Sequence, residues 1–399
     1  MSNFHDPFRQ VSYLQQCLSQ DKKALGLFIG AGCPLSVKSA DGEVLIPDIL
    51  GITQYVCGKL AESSALKQVQ KNCLQDGCEA ANIEDLLSHI RALKTVAGTD
   101  AVRGLKADDL DKIDEEICRE IHELVNKALP NSDTSYHRVA AWMDAGIRTL
   151  PVEVFTTNYD LLMEQALEDL RVPYFDGFTG VRKPFFDLRA MEEDQLPARW
   201  ARLWKLHGSI NWFQDSKGAV FRGGNNEDGA IRVIHPSHLK YDESRRMPYL
   251  AMIDRLRSFL KQASSVLVIC GYSFRDDHIN EVIVQGLQAN PTAIAFALLF
   301  GKIEQYSKAI LLAQDRSNLS LLAQDQAIIG TRRNEWLKRS SDLVDESLSR
   351  WIMWADGDQK VEKPTKRAEL TLGNFKVFGD FLQELIGSNW QPVKESNAE

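Results

Sequence analysis

Short apolar runs that stop at a glycine or a polar turn recur along this chain, and polar stretches with helical spacing separate them. Leu25 to Gly30 (LGLFIG), Val152 to Thr157 (VEVFTT), Arg202 to Leu206 (RLWKL), Ser265 to Cys270 (SVLVIC) and Thr292 to Phe300 each read as a strand. A near-continuous apolar run, in place of strict alternation, is what a parallel strand covered on both faces requires. Ile231 to Ile234 reads as a shorter strand, and Arg222 to Gly229 (RGGNNEDG) as a loop by composition. Helical spacing is found near Gly51 to Leu60, over Leu161 to Leu170 and over Asp276 to Gln288. Strands alternating with helices predict an α/β fold on a doubly wound parallel sheet.

Ser64 to Asn131 is mostly polar with helical spacing, which predicts a helical insert packed on the core or on another subunit. Asn82 is a fitting N-cap for a helix over Ile83 to Leu93, whose apolar face is Leu86, Leu87, Ile90 and Leu93. After residue 305 the pattern reads as helical to Trp354. Ala355 to Lys366 reads as a linker or exposed loop, and Phe375 to Leu385 as a final amphipathic helix. The expected organisation is a nucleotide-binding unit over residues 1–305, with the insert at 64–131, followed by a C-terminal helical region at 306–399.

Composition narrows the class. The 399 residues are 44% hydrophobic and 26% charged, ordinary for a soluble globular protein. A formal net charge of −8 argues against a general nucleic-acid platform, so any nucleic-acid contact is expected to be indirect. No apolar run approaches the roughly 18–20 residues of a membrane span. The residues from Met1 to Ser12 are polar and unlike a secretory signal, so the expected compartment is the cytoplasm. The seven cysteines (Cys17, Cys33, Cys57, Cys73, Cys78, Cys118 and Cys270) are scattered and include no C-x2-C pair. Separate thiols are expected, with neither a disulfide framework nor a zinc site, even at Cys73 and Cys78.

Four short motifs follow predicted strands, where ligands of open parallel sheets bind. Gly30-Ala31-Gly32 lets the backbone approach a pyrophosphate, although a tight structural turn explains it equally well and the full G-x-G-x-x-G spacing is missing. Thr156-Thr157-Asn158-Tyr159-Asp160 sets two polar side chains after one strand; a helix cap accounts for one of them, but not for both. Lys205-Leu206-His207-Gly208-Ser209 carries a histidine, on its own more often structural than catalytic. Gly271-Tyr272-Ser273-Phe274-Arg275-Asp276-Asp277 is a turn into a helix, with donors for phosphate or ribose.

In this order and spread over residues 25 to 300, the four motifs resemble the sirtuin superfamily, and in particular its bacterial antiphage-defence branch. The forms Thr157-Asn158-Tyr159-Asp160, Leu206-His207-Gly208-Ser209-Ile210-Asn211-Trp212 and Gly271-Tyr272-Ser273-Phe274 are those of the defence branch more than of the deacylases. Two departures bear on activity. The zinc ribbon that protein-deacylating sirtuins carry after H-G has no counterpart, since no cysteine lies between Gly208 and Cys270. Thr157 also stands where the deacylases have glutamine. Ile46-Pro47-Asp48 is similar to the sirtuin I-P-D, but lies farther from Gly30-Ala31-Gly32 than usual.

The resemblance implies a Rossmann-like sirtuin domain that takes NAD as substrate. It names Gly30, Ala31, Gly32, Thr157, Gly271 and Ser273 as NAD-contacting residues. Asn158 would orient the ribose and the attacking water, Asp160 would engage the nicotinamide end, and His207 would serve as general base, with no metal. The implied reaction is cleavage of the nicotinamide–ribose bond to nicotinamide and ADP-ribose, depleting NAD during antiphage defence. An ADP-ribosyltransferase or protein deacylase is the alternative reading, and a non-catalytic sensor of NAD or ADP-ribose a second one. Relatives of this size imply a homo-oligomer that pairs with a HerA-type ring ATPase.

Overall fold

The computed structural model describes residues 4–77, 81–98, 100–215, 217–223, 231–234, 248–339, 346–354 and 365–387. Nine strands form the central sheet: β1 (Leu25–Ile29), β2 (Val152–Thr156), β3 (Tyr174–Phe175), β4 (Ala201–Lys205), β5 (Val266–Cys270), β6 (Ile294–Leu298), β7 (Leu319–Leu322), β8 (Gln326–Ile329) and β9 (Arg332–Glu335). Their spatial order is β9-β8-β7-β6-β5-β1-β2-β4-β3. All pairings are parallel except β7 with β8 and β8 with β9. The chain builds outward from β1 through β2 to β4, then crosses back to β5 on the other side, so β1 lies at the switch point where such sheets bind ligands.

Among the described residues twelve α-helices surround the sheet: α1 (Pro7–Leu18), α2 (Ile49–Lys59), α3 (Ser64–Gln75), α4 (Ile83–Val96), α5 (Ala107–Val125), α6 (Ser135–Asp144), α7 (Leu162–Asp169), α8 (Leu188–Glu193), α9 (Tyr249–Lys261), α10 (Asp277–Ala289), α11 (Ser307–Asp315) and α12 (Phe375–Ile386). Alternate residues of each central strand feed two separate cores. Leu25, Leu27, Ile29, Val152, Val154, Val266 and Val268 pack with α1, the insert helices α3 to α5, α6, α7 and α12. Phe28, Phe155, Leu267, Ile269, Ala295 and Ala297 pack with α9, α10 and α11. Both faces are covered, which explains the uninterrupted apolar runs. Among the described residues no helix is long and apolar enough to cross a membrane.

Two regions differ from the expectation of helices. Among the described residues between 306 and 354 only α11 is an α-helix. The apolar stretches at Leu319–Leu322 and Gln326–Ile329 are β7 and β8, and Leu337–Arg339, Thr365–Leu370 and Ile352–Trp354 make a separate three-stranded antiparallel sheet. Runs of four apolar residues carry no usable period, and here the buried edge of β6 decides the matter by pairing with β7. The C-terminal region is therefore mixed, although its last helix is found as α12. Most of the expected linker, 355–364, lies outside the described residues. The second difference follows His207. Gly208–Gln214 is a strand in a five-stranded antiparallel sheet with Phe178–Thr179, Phe185–Phe186, Val220–Arg222 and Ile231–Ile234. Trp212 and Phe178, with ring centroids 4.9 Å apart, pack at its base.

Candidate functional site

The register of the sheet sets the site. Ile29 lies level with Thr156 on one side and Cys270 on the other, and Thr156 lies level with Lys205. The residues that leave these strands, Gly30, Thr157, Leu206 and Gly271, therefore emerge together along one edge.

The loops after β1 and β5 cross backbone to backbone. Gly30 N donates to Cys270 O at 2.9 Å and Gly32 N to Gly271 O at 2.8 Å. A Cβ on Gly30 would meet Gly271 O at 2.4 Å, and one on Gly271, whose φ is +67°, would meet Cys33 N at 2.6 Å. The glycines are thus required by this crossing alone, before any ligand is considered. Ala31 is exposed at the tip of its loop, and Ser273 is exposed on the opposite turn. Cys33 is fully buried beneath them, and burial pushes its thiol well above the ordinary range. The turn at 271–276 is held from within: Asn280 Nδ2 donates to Phe274 O at 2.8 Å and Tyr272 Oη to Asn280 Oδ1 at 2.9 Å. Those bonds hold Phe274 at φ +57°, a left-handed conformation that is strained for a bulky side chain.

The loop after β2 resolves the question of the two polar residues. Asp160 is the cap: its Oδ1 accepts from Leu162 N at 3.0 Å at the start of α7. Asn158 does something else. Its backbone N–H goes to Thr156 Oγ1 at 3.0 Å, and its Nδ2 donates to Gly30 O at 3.2 Å, tying the β2 loop to the glycine loop. Its Oδ1 is buried and has no hydrogen-bond partner among the described residues. A buried amide oxygen left unmatched is costly. Thr157 is half-buried between β2 and Asn158.

Behind this loop lies a cation that the sequence reading passed over as part of the histidine motif. Lys205 is 2% exposed; its Nζ pairs with Glu164 Oε1 at 3.0 Å and donates to the carbonyls of Asp160 and Tyr159. It props up the backbone that presents Asn158 and Asp160. Burial lifts the Asp160 carboxyl to a pKa of about 6, an increase that the Lys205 charge partly opposes. Tyr159 reaches away from the loop, and its Oη donates to Glu84 Oε1 at 3.1 Å on α4. This hydrogen bond joins the helical insert to the strand-end cluster.

His207 is buried beside these groups, its ring centroid 6.5 Å from that of Tyr159. Its Nε2 lies 3.0 Å from Asp276 Oδ2. Asp276 had been read only as part of a turn into a helix; an acidic N-cap on the strand end beside the histidine was the available signal. Asp48, of the I-P-D triplet, caps α2 through Gly51 N at 2.9 Å. Among the described residues no group of three or more His, Cys, Asp and Glu side chains is arranged to hold a metal ion. Cys73 is buried in the insert, and Cys78 lies outside the described residues.

Residues 152–319 match the family model described as a SIR2-like domain. Among solved structures, a Sir2 homologue–NAD complex is similar at 13% identity, over 76% of this chain and 89% of that one, with a TM-score of 0.40. A structure of a Sir2 enzyme, concerned with mechanism and regulation, is similar at 12% identity over 74% of this chain and 86% of that one, with a TM-score of 0.35. No curated protein matches the chain. The match to the SIR2-like domain takes in the strand ends that carry Asn158, Asp160, His207 and Gly271.

Proposed function

We propose that this protein is an NAD hydrolase that cleaves the bond between ribose C1′ and the nicotinamide nitrogen, releasing nicotinamide and ADP-ribose. The observation that carries the reading is the buried Oδ1 of Asn158, without a hydrogen-bond partner among the described residues, on a side chain tied to the glycine crossing at Gly30 O. A ribose hydroxyl or a ribose-bound water would satisfy it. Gly30, Ala31, Gly32, Thr157, Gly271 and Ser273 supply backbone and hydroxyl donors to the dinucleotide. Asp160 faces the nicotinamide end. As the C1′–N bond breaks, its electron pair passes to the pyridinium nitrogen, so the leaving group departs neutral. Water forms the new bond to C1′ and gives its proton to His207, a side chain suited to that exchange near neutral pH.

A transferase would need a protein acceptor and a deacylase an acyl-lysine groove. The chain has an antiparallel sheet after H-G and no C-x2-C pair, which weakens both readings. A sensor would have no use for a buried histidine beside the ribose position. Product analysis in ¹⁸O-labelled water separates these: hydrolysis puts the label on ADP-ribose C1′. ADP-ribose attached to protein, or an O-acyl product, would replace this reading with the alternative, and bound but intact NAD would replace it with the sensor.

An enzyme of this kind would drain the cofactor of its own cell unless restrained. We propose that restraint comes from assembly: a homo-oligomer in the cytoplasm that acts in antiphage defence and is gated by a ring ATPase of the HerA type. The insert, α3 to α5, and the three-stranded C-terminal sheet offer separate surfaces for it. Light scattering should give a mass well above the 45.0 kDa of one chain; a strict monomer with unrestrained turnover would reject the proposal.

A further inference from the structure

We propose that Asp276 is a positioning residue for His207, fixing which ring nitrogen is basic and holding the imidazole ready to take a proton. This rests on the NAD-hydrolase reading and extends it to a residue on a different strand end.

The two side chains are buried to a similar degree, 10% exposed for His207 and 9% for Asp276, and Nε2 and Oδ2 are 3.0 Å apart. The other carboxylate oxygen is spoken for: Oδ1 accepts from His278 N at 3.0 Å and Ile279 N at 3.2 Å, capping α10. Asp276 is therefore held rigidly by the first turn of a helix, with one oxygen directed at the histidine. The approach is at ion-pair distance; a carboxylate has no proton to give, so drawing it into a hydrogen bond requires Nε2 to carry the proton. In the neutral ring this leaves the lone pair on Nδ1, the atom that accepts the proton from water. The negative charge of Asp276 then stabilises the imidazolium that results.

Other groups around His207 do not duplicate this role. From the β2 loop come the Tyr159 ring and the buried Asp160 carboxyl, which is engaged with the start of α7. From β4 comes Lys205, already paired with Glu164. From the insert comes Glu84, which holds the Tyr159 hydroxyl. On α10 itself Asp277 is bound to Lys308 at 2.6 Å. Asp276 is thus the carboxylate placed at hydrogen-bond distance from the His207 ring among these residues.

Two variants separate positioning from capping. Asn is as good an N-cap as Asp, so Asp276→Asn keeps α10 capped while removing the charge and allowing the amide to donate to Nε2, which favours the wrong tautomer. Asp276→Ala removes both functions. The His207 ring nitrogens are assigned by their loss in His207→Ala, and their ¹⁵N shifts are read by NMR in each full-length protein. The inference predicts the proton of the neutral ring on Nε2 in wild type and a change toward the Nδ1-protonated tautomer in Asp276→Asn. It predicts a drop in single-turnover nicotinamide release of ~10²–10⁴-fold in Asp276→Asn, with NAD affinity within a few-fold and thermal stability unchanged. An unchanged His207 tautomer in Asp276→Asn overturns it. So does a profile in which Asp276→Ala loses stability and rate together while Asp276→Asn restores both, since that is capping alone. If wild-type protein releases no nicotinamide, the hydrolase reading falls, and the ¹⁵N shifts still decide the His207–Asp276 pairing.

Discussion

Asp160 keeps a carboxylate where burial opposes its charge, so Asp160→Asn should stabilise the protein at neutral pH even as it removes activity. Burial raises the pKa from 3.8 to about 6 in the folded chain. In the unfolded chain the group titrates at its ordinary value. Between those two values the folded form retains a proton that the unfolded form has released, so stability falls as pH rises through this window. A gap of roughly two units, at about 1.4 kcal/mol each, makes the ionised carboxylate cost roughly 3 kcal/mol once the pH is above 6. Asparagine keeps an acceptor for Leu162 N and never ionises. Its advantage should be small near pH 4, grow through pH 5 and 6, and be complete by pH 8. For 399 residues, 3 kcal/mol corresponds to a rise in Tm of about 3–4 °C. Thermal unfolding followed by circular dichroism, on both proteins from pH 5 to 8, measures it. A difference that does not change with pH, or a variant less stable than wild type at pH 8, would refute the argument that burial of this charge dominates.

Three further outcomes follow from the same geometry. Lys205→Met leaves the Glu164 carboxylate buried without its partner, and urea denaturation should show a loss of about 3–5 kcal/mol. Gly271→Ala forces a Cβ to within 2.6 Å of both Cys33 N and Cys33 Sγ at a φ of +67°; calorimetry should show NAD affinity reduced by at least about tenfold as the crossing opens, the ~1.4 kcal/mol that even modest overpacking costs. Tyr159→Phe removes the bond to Glu84 Oε1, worth about 0.5–1.5 kcal/mol. Hydrogen exchange should quicken at both the 157–161 loop and the start of α4, whereas a change confined to one of them would mean that the insert and the loop are independent.

The strand ends were legible because each ends an apolar run at a glycine or polar residue, and a parallel sheet in register brings such ends together. Ile29, Thr156, Lys205 and Cys270 sit at one level, as those runs imply. The convergence of Asn158 with Gly30 is of this legible kind. The pairing of His207 with Asp276 was not legible, because it depends on the side-chain direction of a helix cap on the next strand but two, which no local pattern encodes. Lys205 was hidden for a related reason. A lysine at the end of a strand usually reaches solvent, and here the Glu164 carboxylate and the carbonyls of Asp160 and Tyr159 hold it inside. The strands at Leu319–Leu322 and Gln326–Ile329 were read as helix because four apolar residues fit either period, and the free edge of β6 settled the choice.

The central claim is that Asn158 and His207 serve cleavage of NAD and not only the architecture of the loops. The direct measurement is nicotinamide released from NAD by purified protein at stoichiometric enzyme, resolved by chromatography, for wild type, Asn158→Ala and His207→Ala. The account predicts release by wild type, a loss of ~10²–10⁴-fold for His207→Ala, and a comparable loss for Asn158→Ala with NAD still bound. Intact NAD after prolonged incubation with folded wild-type protein, or wild-type turnover in either folded variant, would contradict it.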